Sequence, residues 1–568
     1  MENKLKDKHF LLGSLILALV YSLPLLLHPH DLGVRDWDLF TTIAGVPVGS
    51  ISYYGQFPFW NPYMGGGNIL FHHPEVLVLS PFFLLYLVFG ELVGLKLQVF
   101  LCYALGFYGS YKLFGRLGIS KVSSFAMAVV YFGSVHFALH FAEGHMPFTH
   151  FCFLPWFIYY VHKAIDRKKY LIGAIVSLAL MILGNGAAIP FLYSMTFSAL
   201  LFLLLALQYK KISFFLNYIY ATLGALALSA VKFLPMVIYL VQNRWEGNPE
   251  EVIPLSALYD IFFGLKHSLF EKLFLGQIWG WHEYGAYISP LVIVMLLFAL
   301  LRKFKKHYPY LILLLFFLVL GLGNFGQLSL WSLFSHLPGF SSARCTGRSF
   351  QLVILTAAIL GGFGFDLLSE KLKKANRYLK LLPTLLLLIV IGTNIVLAYP
   401  IINSSARNEV PPIKRHEQFR HVIDSQPQAY RNYLANQGSL VSPWLSAYHP
   451  SRALVGPQNE VYPEFIKSGE AIVLSKNYTP NKIEYTLEAK TAGSIIISMG
   501  YDIGWFERSG TKLYADQDLI AFDFQPGQKT YILKYRTPYF YFGLVISLIT
   551  LLFLIVYGYK PTWVKSFS

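Results

Sequence analysis

The chain has 568 residues, of which 55% are hydrophobic, 17% aromatic and only 13% charged, whereas a soluble chain of this length carries about a quarter charged residues. That composition excludes both a water-soluble globular protein and a disordered one. The net charge of +16 raises nucleic acid as a partner, but the basic residues sit in short hinges between apolar runs, at Arg167-Lys168-Lys169, Lys210-Lys211, 302–306 and 371–377. This is the positive-inside pattern of a chain facing anionic membrane lipids on its cytoplasmic side, so no nucleic-acid partner is expected.

An apolar run at 10–27 follows Lys4, Lys6 and Lys8 with no small-residue cleavage site after it, which predicts an uncleaved first helix with its N-terminus inside. The helix leads outward to Val34-Arg35-Asp36-Trp37-Asp38. Carboxylates at the mouth of a membrane bundle are costly unless water, a partner or a substrate receives them. Residues 28–93 form the first external loop, with Tyr54-Gly-Gln-Phe-Pro-Phe-Trp60-Asn61-Pro-Tyr63, Gly65-Gly-Gly-Asn68 and His72-His73-Pro74. Such a density of proline, glycine and aromatics predicts a compact, ordered loop. Trp60 and Asn61 suit a sugar, with apolar faces and a hydroxyl rim, although an interfacial aromatic belt has the same composition. Adjacent histidines do not converge on one ion from either regular structure, and no metal site is assigned to them.

Parity sets the rest of the topology. Asp36 is outside and the basic hinge at 116–121 inside, so only one of the stretches 76–90 and 94–115 crosses; the shorter reads as an interfacial or re-entrant helix. Further crossings fall at about 121–138, 148–165, 170–184, 187–207, 213–241, 287–301, 309–323, 346–368, 379–399 and 538–558, about twelve in all. The external regions are then 28–93, 139–147, 242–286, 324–345 and 400–537, and the polar clusters fall in them.

Glu143-Gly144-His145, with His140 one turn earlier, places an acid and an imidazole on a tight turn, suited to holding a hydroxyl or shuttling a proton, or equally to capping a helix. Lys232 lies inside an apolar helix three residues before Pro235 and must snorkel or find an anion. Glu283 stands in the aromatic loop Trp279-Gly-Trp-His-Glu-Tyr-Gly-Ala-Tyr287. Arg344 and Arg348, four apart at the start of a helix, suit a phosphate at headgroup depth or ordinary lipid headgroups. Cys102, Cys152 and Cys345 have neither metal nor disulfide spacing and read as packing residues. Residues 400–537 differ in kind: alternating apolar residues at 482–488, 494–499 and 530–535 predict strands, with turns at Ser509-Gly510 and Pro526-Gly527. The expected organisation is a membrane module over 1–399, a small β-rich extracytoplasmic domain over 400–537, and a last helix and cytoplasmic tail over 538–568.

Taken in order, Asp36-Trp-Asp38, Gly55-Gln-Phe-Pro-Phe-Trp-Asn-Pro62, Glu143-Gly-His145, Leu234-Pro235, Leu337-Pro-Gly-Phe-Ser-Ser-Ala-Arg344 with Arg348, Gly504-Trp505 and Tyr535-Arg-Thr-Pro538 resemble the YfhO-like family of bacterial membrane proteins, within the C-type (GT-C) glycosyltransferase superfamily. The resemblance covers nearly the whole chain. It departs at Cys345-Thr346-Gly347 and at Tyr501-Asp502-Ile503, where a proline is expected. It implies a GT-C-like polytopic α-helical enzyme in the bacterial cytoplasmic membrane, with its active site facing outward. A polyprenyl-phosphate-linked sugar would be the donor; the acceptor would be an envelope glycan such as teichoic acid, a glycolipid or a protein. Asp36 would be the general base and Asp38 its understudy; Arg344, Arg348 and Lys232 would neutralise the phosphate. Glu143, His145, Glu283, Trp60 and Asn61 would contact substrate, and the anomeric carbon would invert. No cofactor is required by this scheme, although two neighbouring aspartates are also a donor set for a divalent cation. A lipid-linked glycan transporter or flippase, or a non-catalytic envelope assembly protein, are the alternatives; no internal repeat of the transporter kind is present.

Overall fold

The structure, a computed structural model, describes residues 6–559 except 243–249, 327–328, 338, 341–342, 344, 376–380, 406–407, 424–427, 441–452 and 456–459. Among the described residues, eight helices are long and apolar enough to cross a membrane, or nine if the pair Ser213–Leu228 and Ala230–Val241, bent by 89°, counts as one span. The chain is thus a multi-pass helical membrane protein with a β-rich C-terminal region.

Every crossing read from the sequence contains helix, but besides the bent pair at 213–241 four more differ in form from a single straight span. Phe153–Lys163 and Leu171–Leu183 have only 11 and 13 residues, short of the ~20 that cross a bilayer. Residues 287–301 and 309–323 belong to one run, Pro290–Gly321, interrupted at the non-helical Lys303 (φ −140°, ψ 49°); Arg302, Lys303, Lys305 and Lys306 are exposed there, as a charged hinge requires. The stretch at 76–90 is in part the first segment of Phe83–Arg116, which breaks at Gly90 (φ 77°, ψ 166°). Lys121–Glu143 is the most buried of the candidate spans and Phe540–Gly558 the least, so the former lies at the centre of the bundle and the latter at its rim.

In the C-terminal region, two four-stranded antiparallel sheets enclose a second core. One runs in the order Leu513–Asp516, Leu519–Phe524, Gly493–Gly500, Glu464–Ser468; the other Trp505–Glu507, Gly527–Tyr535, Lys482–Ala489, Ala471–Thr479. The period-2 pattern drives the pairing: Ile483, Tyr485 and Leu487 point inward, opposite Leu533, Tyr531 and Lys529 across the ladder.

The first loop is fastened to this core. Trp60-Asn61 pairs with Asn68-Ile69, and the Trp60 ring packs against Trp505 and Tyr535 at centroid distances of 5.3 and 4.5 Å. Asn481 accepts hydrogen bonds from the backbone N–H of Phe59 and Trp60 at 3.2 and 3.0 Å. Trp60 and Asn61 are buried, the Trp60 ring in this loop-to-sheet contact and the Asn61 side-chain oxygen on the Tyr63 N–H at 2.9 Å. The buried Lys232 ammonium donates to the carbonyls of Pro74, Val76 and Gly184, so main-chain dipoles receive it, with the Glu75 carboxylate adding its attraction.

Candidate functional site

A cavity of about 620 Å³ gathers Asp36, Asp38, Glu143, His145, Glu283 and Arg348 on its wall. Lys232, Trp60 and Asn61 are not part of that wall. Arg344 lies outside the described residues.

Gly144 explains how two distant segments meet. The helix Val135–Glu143 ends on Gly144 in the left-handed region (φ 100°), with the N–H groups of Gly144 and His145 returning to the carbonyl of His140, a common helix stop. A Cβ on Gly144 would stand 2.3 Å from the Trp37 nitrogen and 2.7 Å from the Asp36 carbonyl carbon. The absent side chain lets the helix Trp37–Ser52 begin directly against this turn. Asp36 donates its backbone N–H to the Glu143 carbonyl at 3.1 Å, and the fully buried Trp37 donates its indole N–H to the Phe141 carbonyl at 3.2 Å.

The result places Asp36 Oδ2 3.1 Å from His145 Nε2. Among the described residues the Asp36 carboxylate has no other side-chain partner. Burial opposes a charge on His145, but its hydrogen bond to Asp36 and the attraction of that carboxylate outweigh it, and the imidazole is held above its ordinary value. Asp38 is engaged differently: its two oxygens accept the N–H groups of Ala429 and Tyr430 at 2.7 and 3.1 Å, at the start of the helix Ala429–Leu434. A carboxylate satisfying the first amides of a helix is a capping group.

Two arginines neutralise the other two acids. Arg35 approaches Glu143 with Nη1 at 3.0 and 3.2 Å from its oxygens, donates to the Leu269 carbonyl at 3.2 Å, and lies 4.9 Å over the Phe270 ring. Its backbone is left-handed (φ 54°), a strain that persists only where the surroundings over-determine it. Arg348 holds Glu283 in a bidentate pair through Nε, at 2.8 Å, and Nη2. Burial pushes the Glu283 carboxyl up, but Arg348 overrides this and holds it far below the usual carboxylate range. Gly347 makes the approach possible, since a Cβ there would sit 2.3 Å from the Glu283 carbonyl oxygen. His282 lies between the two acids, 3.3 Å from Glu143 and 3.8 Å from Glu283; burial, reinforced by His145, depresses it to about 3, so it is neutral.

His140, His145 and Glu283 bring ligand-type atoms within 4.8 Å of one another, the spacing of a metal site. The donor set does not suit an ion: Glu283 is bidentate to Arg348, and His145 is held between Asp36 and His140. Nor do the paired aspartates suit one, because both Asp38 oxygens accept backbone N–H groups.

Arg35, His282 and Lys272 were not singled out from the sequence. Arg35 adjoins Asp36 and His282 adjoins Glu283, which is the only signal either offered. Lys272 is exposed on the cavity wall and, among the described residues, has no carboxylate partner.

No known family profile and no curated protein matches the sequence. Among solved structures, the chain is similar to the arabinofuranosyltransferase AftD from Mycobacteria, at 12% identity over 71% of this chain and 28% of that one, with a TM-score of 0.46. It is similar to the Archaeoglobus fulgidus oligosaccharyltransferase at 12% identity over 77% and 65% of the two chains, TM-score 0.46. It is also similar to ArnT from Cupriavidus metallidurans, solved bound to undecaprenyl phosphate, at 14% identity over 76% and 85%, TM-score 0.38.

Proposed function

We propose that this chain is a membrane glycosyltransferase of the YfhO-like type. It transfers a sugar from a polyprenyl-phosphate donor to an envelope acceptor on the outer face of the bacterial cytoplasmic membrane, with inversion and with Asp36 as general base. The observation that carries the reading is the Asp36 carboxylate: one oxygen is oriented by His145, the group lines a 620 Å³ cavity, and no lysine or arginine pairs with it among the described residues. The sequence resemblance supports the same residue.

The chemistry is a single displacement. The acceptor hydroxyl oxygen forms a bond to the anomeric carbon as the bond from that carbon to the phosphate oxygen breaks. The bonding pair leaves with the phosphate, and the hydroxyl proton passes to Asp36. A phosphate is already a good leaving group when cations face it. Arg35, Lys272 and Arg348 line the cavity; of an arginine's five N–H groups, Arg348 with two on Glu283 keeps three for a phosphate, and Arg35, which also donates to the Leu269 carbonyl, keeps two. Glu143 and Glu283, held by these arginines, then face the sugar or acceptor hydroxyls as acceptors. Asp38 serves as a positioning group, fixing the segment at Ala429 that closes one side of the cavity.

Mass spectrometry of envelope glycans from cells with and without this chain tests the reading. Loss of one defined sugar substituent, with accumulation of its lipid-phosphate carrier, is the expected result. Loss of the substituent with the carrier instead accumulating on the cytoplasmic face would support the flippase reading.

A further inference from the structure

His140 is fully buried one turn before Glu143, and nothing in the displacement just described uses it. Its Nδ1 lies 2.8 Å from His145 Nδ1, while His145 Nε2 lies 3.1 Å from Asp36. Two facing ring nitrogens bond only when one carries a proton and the other a lone pair. A carboxylate is acceptor-only, so His145 Nε2 bears a proton toward Asp36, and a neutral His145 presents its lone pair at Nδ1. His140 is then the Nδ1–H donor, and its own Nε2 is the bare nitrogen. The surroundings agree: His140 Nε2 is buried with no hydrogen-bond partner among the described residues, where a lone pair is tolerated better than an N–H. A doubly protonated His145 would reverse the bond and put the His140 proton on that Nε2, which has no acceptor. Phe148 stacks on the His140 ring at 3.5 Å and 17°, fixing the plane from which the N–H points.

We propose that His140 is a positioning residue for the transfer reaction: its Nδ1–H locks His145 into the Nε2–H tautomer and, through His145, keeps Asp36 turned with its unpaired oxygen toward the acceptor hydroxyl. The inference rests on Asp36 being the base. Ring orientation set by the bond on the far nitrogen is the general means by which a histidine is aimed.

Three substitutions separate the hydrogen bond from the packing. In His140→Asn an amide nitrogen replaces Nδ1 and can donate. His140→Leu has no donor, and His140→Phe keeps the stack on Phe148 without one. With purified protein and a polyprenyl-phosphate sugar, at a pH where His145 is neutral, H140L and H140F lower kcat about 10²-fold with KM little changed, the loss associated with a reacting group misplaced by about 1 Å. H140N recovers most of kcat. A readout independent of transfer is carbethoxylation by diethylpyrocarbonate, mapped by mass spectrometry, because the reagent attacks an unprotonated lone pair. His145 reacts slowly in the wild type and in H140N, and faster in H140L. H140F as active as wild type, H140N as impaired as H140L, or equal His145 reactivity in wild type, H140N and H140L overturns the proposal. If the reactivity pattern holds but no variant and no wild type transfers sugar, the tautomer assignment stands and the glycosyltransferase reading falls.

Discussion

Replacing Gly144 by alanine isolates the contact that assembles the site. Two effects act at this position. Alanine at φ 100° is strained, which costs about 1–3 kcal/mol for a residue with a Cβ in the left-handed region. Separately, the added methyl would lie 2.3 Å from the Trp37 nitrogen, whereas ordinary contact begins at 3.4 Å. Both atoms nearest it are backbone, so the turn and the start of the helix at Trp37 must part by about 1 Å, widening the gap between His145 and Asp36. A displacement of that size at a reacting group lowers turnover about 10²-fold. Gly118 supplies the control: its φ is 96°, but a Cβ there meets nothing within 4 Å. Gly118→Ala therefore carries the strain without the displacement. Thermal unfolding in detergent and single-turnover sugar transfer are the assays. Both variants lose stability, and only Gly144→Ala loses kcat. Wild-type kcat in Gly144→Ala, or an equal loss in Gly118→Ala, would refute the reasoning.

Breaking the Arg348–Glu283 pair by Glu283→Gln leaves a buried guanidinium without its counter-charge and destabilises the protein by about 3–5 kcal/mol, readable as a lower unfolding temperature. Because Glu283 stays charged far below its ordinary value of 4.5, the contribution of the pair is complete above that ordinary value and is lost only as pH falls through the depressed one. The stability gap between wild type and Glu283→Gln is therefore flat from about pH 5 to 8; a gap that closes near pH 6 would contradict this. Lys232→Met removes the donor for three buried carbonyls, each worth about 1–3 kcal/mol when left unsatisfied, so thermal stability drops while the donor KM stays near wild type. A raised KM with unchanged unfolding would return Lys232 to the phosphate site.

What the sequence revealed and concealed follows from the range of the forces involved. Strands at 482–488 and 530–535 were legible because a half-buried strand writes its period into local composition. The tight turn at Gly144 was legible for a similar reason, since a glycine between Glu143 and His145 is a local signal. The number of crossings was less so: the sequence shows apolar length but not that Leu228 and Ala230 flank an 89° bend, nor that two helices join at Lys303. That Trp60 packs on a β-sheet was not legible, because an aromatic loop has the same composition whether it faces a sugar or a sheet. The carbonyl partners of Lys232 were not legible because a backbone carbonyl leaves no trace in a sequence. The pairs Arg35–Glu143 and Arg348–Glu283 span 108 and 65 positions, so neither is inferable from spacing. Proximity alone does not separate Asp36 from Asp38; the resemblance ranks Asp36 first, and the structure gives the two different partners, His145 for one and the N–H groups of Ala429 and Tyr430 for the other.

The most direct test of the account is sugar transfer from a polyprenyl-phosphate donor by purified Asp36→Asn and Asp38→Asn, singly and together, with membrane insertion verified for each. Asp36→Asn is expected to lose about 10²–10⁴-fold in rate, the contribution of a positioned base. Asp38→Asn, which only weakens a helix cap, should lose far less. Transfer at the wild-type rate in Asp36→Asn and in the double variant would contradict the assignment of Asp36 and the mechanism built on it.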